Sequence, residues 1–391
     1  MEAEDRFARF GLIEWWEQAR LSAARVAVIG AGALGNEVIK NLALLGVGRL
    51  VVVDLDAVET SNLSRAVLFR ASDAGKPKAG VAVGAARAIY PALLGVGLAR
   101  DVVHGIGMGL FRWAEVVVGA LDNREARLTV NRLCYRVGTP WIDGAIETLS
   151  GVARVFVPPD GACYECTMSE RDWELLAQRH SCSLLNRTLT AFGNVPTTPT
   201  TASVIAGIQC QEAVKLLHRR PSALAGGGFI FDGLEHGSYV VSYGRHPECL
   251  SHEPMERVID TNGSVATVTG REALGWARSA LGPRAKLVFP RELLHALECP
   301  SCGASEQVLR PLQSVTEDEA RCRACGARRA PQLFHSLDGS EDFLELSLAA
   351  LGVPPWDIVI GALDDRICGF ELDGDRREVL GPCAEETGGG R

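Results

Sequence analysis

The segment Arg25-Val26-Ala27-Val28-Ile29-Gly30-Ala31-Gly32-Ala33-Leu34-Gly35 constrains this chain more than any other. A short apolar strand runs into G-x-G-x-x-G and then into a helical pattern. In such a turn, glycines let the backbone approach a phosphate chain, and the helix N-terminus favours negative charge. A second apolar run, Val51-Val52-Val53, ends at Asp54, where an acidic side chain can hold a ribose hydroxyl. Taken alone, Gly30, Gly32, Ala33, Gly35 and Asp54 read as a dinucleotide site. The residues after Asp54 fit a nicotinamide enzyme poorly. Asp56, Asn62, Arg65, Lys78, Asp122 and Asn123 form a set of cations and carboxylates suited to a triphosphate with magnesium. A dehydrogenase would leave most of them without work.

Strand and helix signals alternate along the first part of the chain. Strands are expected at 25–30, 49–54, 100–103, 114–121 and 141–143, and helices at 34–46, 77–90 and 126–137. This alternation predicts an α/β fold with a doubly wound, mostly parallel sheet. Its ligand belongs at the carboxyl ends of the strands, where the glycine loop, Asp54 and Asp122 fall. Antiparallel strands are expected after residue 151, at 228–232 and at 238–243, with a buried helix over 201–217. Residues 167–196 read as a long crossing segment. Composition shifts near Glu253, which divides the chain into 1–252, a small α+β region over 253–381, and a Gly/Glu-rich end, 382–391, expected to be disordered.

Composition narrows the function. Of 391 residues, 47% are hydrophobic, enough for a substantial core. The net charge of −8 argues against a nucleic-acid surface. No apolar run is long enough to span a bilayer, so a cytoplasmic protein is expected. Only five of the 40 basic residues are lysine, an arginine bias that suggests a bacterial source and makes Lys78 informative. Most of the twelve cysteines fall in Cys-x-x-Cys or similar pairs, which in a cytosolic enzyme indicate zinc or sulfur chemistry before disulfides. Cys299-x-x-Cys302 and Cys322-x-x-Cys325, each followed by glycine, have the spacing of a zinc ribbon (299–326).

Several motifs in fixed order resemble the ThiF/MoeB family, related to ubiquitin-activating enzymes. They are Arg6-Phe7-Ala8-Arg9, the glycine loop, Asp54-Leu55-Asp56, Ser61-Asn62-Leu63-Ser64-Arg65, Gly75-Lys76-Pro77-Lys78, Leu121-Asp122-Asn123, Cys163-Tyr164-Glu165-Cys166 and Pro196-Thr197-Thr198. The resemblance covers roughly residues 1–252. It implies an ATP-binding adenylation domain that activates the C-terminal glycine of a small ubiquitin-like or sulfur-carrier protein ending in Gly-Gly. By resemblance, Asp54 holds the ribose, Asn62 and Arg65 grip phosphates, Lys78 stabilises leaving charge and Asp122 holds Mg2+. Asp122 also reads as an ordinary helix N-cap, and both roles can hold together. Arg9 resembles the arginine that dimers of this family contribute to the neighbouring subunit's ATP, which implies a homodimer. Otherwise it is a solvated surface charge.

The resemblance also implies a zinc site at Cys163 and Cys166, completed by a second pair in the late strands. Here that position reads Cys249-Leu250-Ser251-His252, so His252 replaces the fourth cysteine. A Cys3His site is ordinary zinc chemistry. Some family members pass the acyl group to their own cysteine. Cys182 is the cysteine of the crossing segment, with His180 and Arg179 beside it to lower its pKa. It lies further upstream of Pro196 than a thioester cysteine of this family is expected to, and a loop cysteine without a role is the alternative. The partners implied are therefore a conjugating enzyme or a sulfurtransferase, besides the carrier itself. A degenerate scaffold with the same fold would lack nucleotide residues, and none is missing.

Overall fold

The computed structural model describes residues 5–174, 196–310, 315–316 and 318–385. In chain order, α1 (Gln18–Ala23) leads into β1 (Arg25–Ile29), α2 (Ala33–Leu44), β2 (Arg49–Val53), α3 (Lys78–Ile89), β3 (Leu94–Leu98), α4 (Met108–Trp113), β4 (Val116–Gly119), α5 (Arg124–Val137), β5 (Trp141–Glu147) and β6 (Ser150–Phe156). Next come α6 (Pro199–Leu217), β7 (Gly227–Asp232) and β8 (Gly237–Ser242). The strands form one eight-stranded sheet in the order β3-β2-β1-β4-β5-β6-β7-β8. The first five in that order are parallel and the last three pairings are antiparallel. The doubly wound α/β expectation thus holds.

Strands β1 and β2 are runs of β-branched and aliphatic residues because both faces of the sheet are covered. Val26, Val28, Leu50 and Val52 face one layer, built from Val38, Ile39 and Leu42 of α2, Ala79 and Ala82 of α3, and Ile205 and Ala206 of α6. Ala27, Ile29, Val51 and Val53 alternate to the other face. The strand expected at 100–103 lies earlier, as β3. Its sequence Leu-Gly-Val-Gly-Leu hides it, since glycine weakens a strand signal. The glycine is needed there: a Cβ on Gly97 would sit 2.5 Å from the carbonyl carbon of Ala79 in α3.

The second face is not completed by the helices of the first 252 residues. The C-terminal region builds β9 (Val258–Asp260), α7 (Gly270–Leu281), β10 (Lys286–Glu298), β11 (Ser305–Arg310), β12 (Ala330–Leu337), β13 (Ile358–Leu363), β14 (Arg366–Glu371) and α8 (Arg376–Leu380). Its sheet runs β11-β10-β13-β14-β9, with β12 paired to β10. This region has its own core around Leu274, Leu287, Leu348 and Phe370. It also sends Trp356, Ile358, Ile360, Val379, Leu380 and Cys383 into the cluster that holds Val51, Val53 and Phe111. One continuous layer therefore joins the two regions.

The disorder expected from residue 382 is corrected at its start. Gly381–Ala384 forms a 3-10 turn, and Cys383 is buried with its Sγ 3.3 Å from the Leu94 carbonyl. Burying Leu380 and Cys383 outweighs the polar composition of the chain end. Residues 386–391 lie outside the described residues. No helix among the described residues is long and apolar enough to cross a membrane.

Trp356 is the large side chain at this junction. It is 2% exposed, and its indole N–H donates to Glu371 at 2.7 Å. Trp356→Ala is expected to cost about 3–5 kcal/mol in urea unfolding, the range for truncating a buried aromatic. A loss below about 1 kcal/mol would mean that the two regions are not one cooperative layer.

Candidate functional site

Strand register fixes the site. Ile29 pairs with Val53 on one side and Gly119 on the other. Gly30, Asp54 and Ala120–Asn123 therefore emerge at one end of three neighbouring strands, where the strand order reverses between β1 and β4. Gly30 has φ +100°, and a Cβ there would lie 2.3 Å from the Ala120 carbonyl oxygen. A Cβ on Gly35 would lie 2.0 Å from the Gly30 carbonyl oxygen. At Gly32 the situation differs: a Cβ would meet nothing within 4 Å. The space in front of the α2 N-terminus is thus open, and Gly32 caps that helix without a side-chain hydrogen bond. The free amides there suit a phosphate.

Asp54 closes the loop from β2. Its carboxylate accepts the Ala31 N–H at 2.6 Å and the Asp56 N–H at 2.8 Å. Burial pushes its pKa above the ordinary value, with those two amides opposing the shift. Asn36, a residue that sequence reasoning passed over, holds the other side. Its Nδ2 donates to the carbonyls of Ala31 and Gly32, and its Oδ1 accepts the Leu68 N–H. The available signal was an asparagine inside the first turn of the helix, where propensity alone disfavours it.

The residues expected at the phosphates are held in different ways. Lys78, the first residue of α3, is 9% exposed, and its Nζ lies 2.8 Å from Asp56 Oδ2, beside Asp54. Asn62 uses its Oδ1 to accept the Glu59 N–H, closing the 3-10 turn Thr60–Ser64, and Arg65 Nη1 donates to the Ser61 carbonyl at 3.0 Å. Arg9 is not brought to this group. The arm that carries it packs Phe7 against Tyr90, and Arg6 donates to the Ile89 carbonyl. That anchor lies at the opposite end of α3 from Lys78, about 17 Å along the helix.

After β4, Asp122 is exposed, and the N-cap of α5 is Asn123, whose Oδ1 accepts the Ala126 N–H at 2.8 Å. The capping role considered for Asp122 therefore falls to its neighbour. Asn123, expected at the nucleotide, commits its side-chain oxygen to the helix. Asn123 Nδ2 lies 3.2 Å from Asp122 Oδ1. Arg127 is a buried brace. It pairs with Asp143 at 2.9 Å and donates to the carbonyls of Leu121 and Gly144. Asp143 also takes Arg154 at 2.7 Å. A buried carboxylate needs such pairing, and the result ties the Asp122 segment to β5 and β6. Sequence reading missed Asp143 and Arg154, because a charge inside a strand gives no sign of its partner.

Two clusters among the described residues have metal-ligand geometry. Tetrahedral zinc with Zn–S of about 2.3 Å sets sulfurs about 3.8 Å apart. Cys163 Sγ lies 3.7 Å from Cys166 Sγ and 3.5 Å from Cys249 Sγ, and His252 Nε2 lies 3.3 Å from Cys166 Sγ. The substitution of His252 for cysteine thus leaves a usable donor in place. Asn131 of α5 supports this centre, donating to Ser251 Oγ and accepting from the Tyr164 N–H. In the second cluster, Cys299 Sγ lies 3.5 Å from Cys325 Sγ, and Cys302 Sγ lies 3.6 Å from Cys322 Sγ. Its two knuckles match. Gly303 and Gly326 both have φ +73°, and their amides donate to the carbonyls of Cys299 and Cys322. Both sets fit zinc with all four positions filled by protein, as in structural sites. Cys182, with Arg179 and His180, lies outside the described residues.

An open α/β sheet with a glycine loop, an acid ending the second strand and a buried lysine at one end defines a nucleotide-binding protein of the Rossmann-like class. The chain belongs to the ThiF family, whose model matches residues 5–251. It is 36% identical over 242 residues to the SAMP-activating enzyme E1 of Haloferax volcanii, covering 59% of this chain and 81% of that one. It is 33% identical over 247 residues to the sulfur carrier protein adenylyltransferase of Thermus thermophilus, covering 61% and 87%. The crystal structure of E. coli MccB with ATP matches with a TM-score of 0.53 at 23% identity, over 64% of this chain and 75% of that chain, a likeness of fold.

Metal analysis checks the two clusters separately. The purified chain is expected to hold about two zinc per molecule, and Cys322→Ser about one. An unchanged zinc content in that variant would remove the second site.

Proposed function

We propose that this chain is an ATP-dependent adenylyltransferase that activates the C-terminal glycine carboxylate of a ubiquitin-like or sulfur-carrier protein. The observation that carries the reading is the convergence of the Gly30 loop, the Asp54–Lys78 group and Asp122 on one end of β1, β2 and β4, within the segment matched by the ThiF family. In the reaction, a carboxylate oxygen of the carrier attacks the α-phosphorus of ATP. The bond from that phosphorus to the bridging oxygen breaks, and pyrophosphate leaves. Such transfer is governed by positioning and by charge stabilisation. Asp54 accepts the ribose hydroxyls. The α2 amides, Asn62 and Arg65 hold phosphates, and Lys78 offsets charge on the departing pyrophosphate. The exposed Asp122 is the residue that would hold Mg2+ against the phosphates.

The anchoring of the Arg9 arm at the far end of α3 supports a homodimer in which Arg9 serves the neighbouring subunit's ATP. The four-donor clusters support zinc at both places, in a structural rather than catalytic role. Transfer of the acyl group onto Cys182, and onward to a conjugating enzyme, is one course. Release to a sulfur donor or sulfurtransferase is the other. A cytoplasmic, bacterial setting agrees with the composition and with its arginine bias.

Exchange of labelled pyrophosphate into ATP tests the core reading. Exchange should require magnesium and one Gly-Gly-ended carrier, and Lys78→Ala should slow it by about 100-fold or more, the scale for losing one charge-stabilising donor. Full exchange in the Lys78→Ala variant would contradict the assignment.

A further inference from the structure

We infer that Arg291, Asp357 and Trp356 of the C-terminal region are positioning residues for the adenine side of the ATP site. The inference rests on the adenylyltransferase reading of that site. The path of the nucleotide is set by the sheet. With phosphates at the α2 N-terminus and ribose on Asp54, the base extends away from β1 and across the end of β3, one strand further out, about 4.8 Å away. Asp54 is bonded to that strand, its amide donating to the Leu98 carbonyl at 3.1 Å. Beyond Leu98, at the carboxyl end of β3, the chain crosses to α4 through residues 99–107, the segment that would lie beside the base.

The C-terminal region holds this segment. Arg291 donates from Nη1 to the Val103 carbonyl at 3.1 Å and from Nη2 to the Ile106 carbonyl at 3.0 Å. Asp357 pairs with Arg291 at 3.2 Å and accepts the Met108 N–H at 2.7 Å. The Trp356 carbonyl accepts the Gly109 N–H at 3.0 Å. The ion pair is almost fully enclosed, its side chains 7% and 1% exposed. Steric fit adds to the polar contacts. A Cβ on Gly107 would lie 2.5 Å from the Pro355 carbonyl oxygen, and one on Gly109 would lie 2.6 Å from Trp356. Two carbonyls and two amides of the 103–109 segment are thus satisfied by groups that lie more than 180 positions away in sequence. Without Arg291, two partly buried carbonyls and a buried carboxylate lose their partner, and the segment has to move to satisfy them. The region appended after residue 252 therefore acts on nucleotide binding through the β3–α4 segment.

Calorimetry with two ligands tests this. Mg-ATP senses both the segment beside the base and the phosphate loop, whereas Mg-tripolyphosphate senses the phosphate loop alone. Arg291→Met and Asp357→Asn are expected to weaken ATP binding about tenfold and to leave tripolyphosphate within about twofold. Arg291→Lys keeps the charge beside Asp357 but lacks the fork that reaches two carbonyls, so it should show a smaller loss of the same kind. It carries the test if the methionine variant fails to fold, with zinc content and thermal melting as checks. Unchanged ATP affinity in folded variants would overturn the inference, as would equal weakening of both ligands, which marks general loosening. A wild-type chain that binds no Mg-ATP would instead bring down the adenylyltransferase reading beneath it.

Discussion

The turn at Gly30 is the point on which fold and site both depend. The β1 backbone must pass so close to Ala120 and Gly35 that no side chain fits at either glycine, and Gly30 takes a φ of +100° that residues with a Cβ rarely adopt. This contact seats α2 against the strands with its N-terminus facing the open end of the sheet. It also brings the Ala31 amide to Asp54, so Asp54 and the glycine loop are one bonded unit. Lys78 then reaches the same place through Asp56, and Asp122 through the next strand. None of these side chains needs to be held by a long loop, because each lies just past the end of a strand or starts a helix.

Much of this was legible in the sequence because it is local. The glycine spacing, the acid ending β2, the lysine opening α3 and the cysteine knuckles each carry their geometry within a few residues. The parts that were not legible depend on contacts distant in sequence. Leu94–Leu98 reads poorly as a strand because Gly95 and Gly97 answer to the packing of α3. Asn123 rather than Asp122 caps α5, a choice between adjacent residues that propensity cannot make. Arg127 is a buried brace only because Asp143, sixteen positions on, faces it across the layer. The composition break near Glu253 suggested a separate unit, yet Trp356, Ile358 and Cys383 belong to the layer under β2 and β3.

Helix α5 gives the molecule its longer-range order. Its first turn is fixed beside Asp122 by the Asn123 cap, and Arg127 ties it to β5. Further along, Asn131 and Tyr135 carry the first cysteine cluster, Tyr135 lying against the His252 ring at 4.8 Å. A metal there would stiffen the helix that follows Asp122. The C-terminal region plays a comparable part on the other flank, where Arg291 and Asp357 grip the segment after β3. The cysteine cluster and the C-terminal region thus each hold a segment that leads away from the carboxyl ends of the strands.

The central claim is that a carboxylate attacks the α-phosphorus of ATP at this end of the sheet. Oxygen labelling tests it most directly. A Gly-Gly-ended carrier that supports pyrophosphate exchange, labelled with oxygen-18 in its terminal carboxylate, is incubated with the enzyme and Mg-ATP, and the acyl group is trapped with hydroxylamine. The account predicts that the label appears in the phosphate of AMP, with none in pyrophosphate. Production of ADP, with the label in inorganic phosphate, would place the attack on the γ-phosphorus and contradict it.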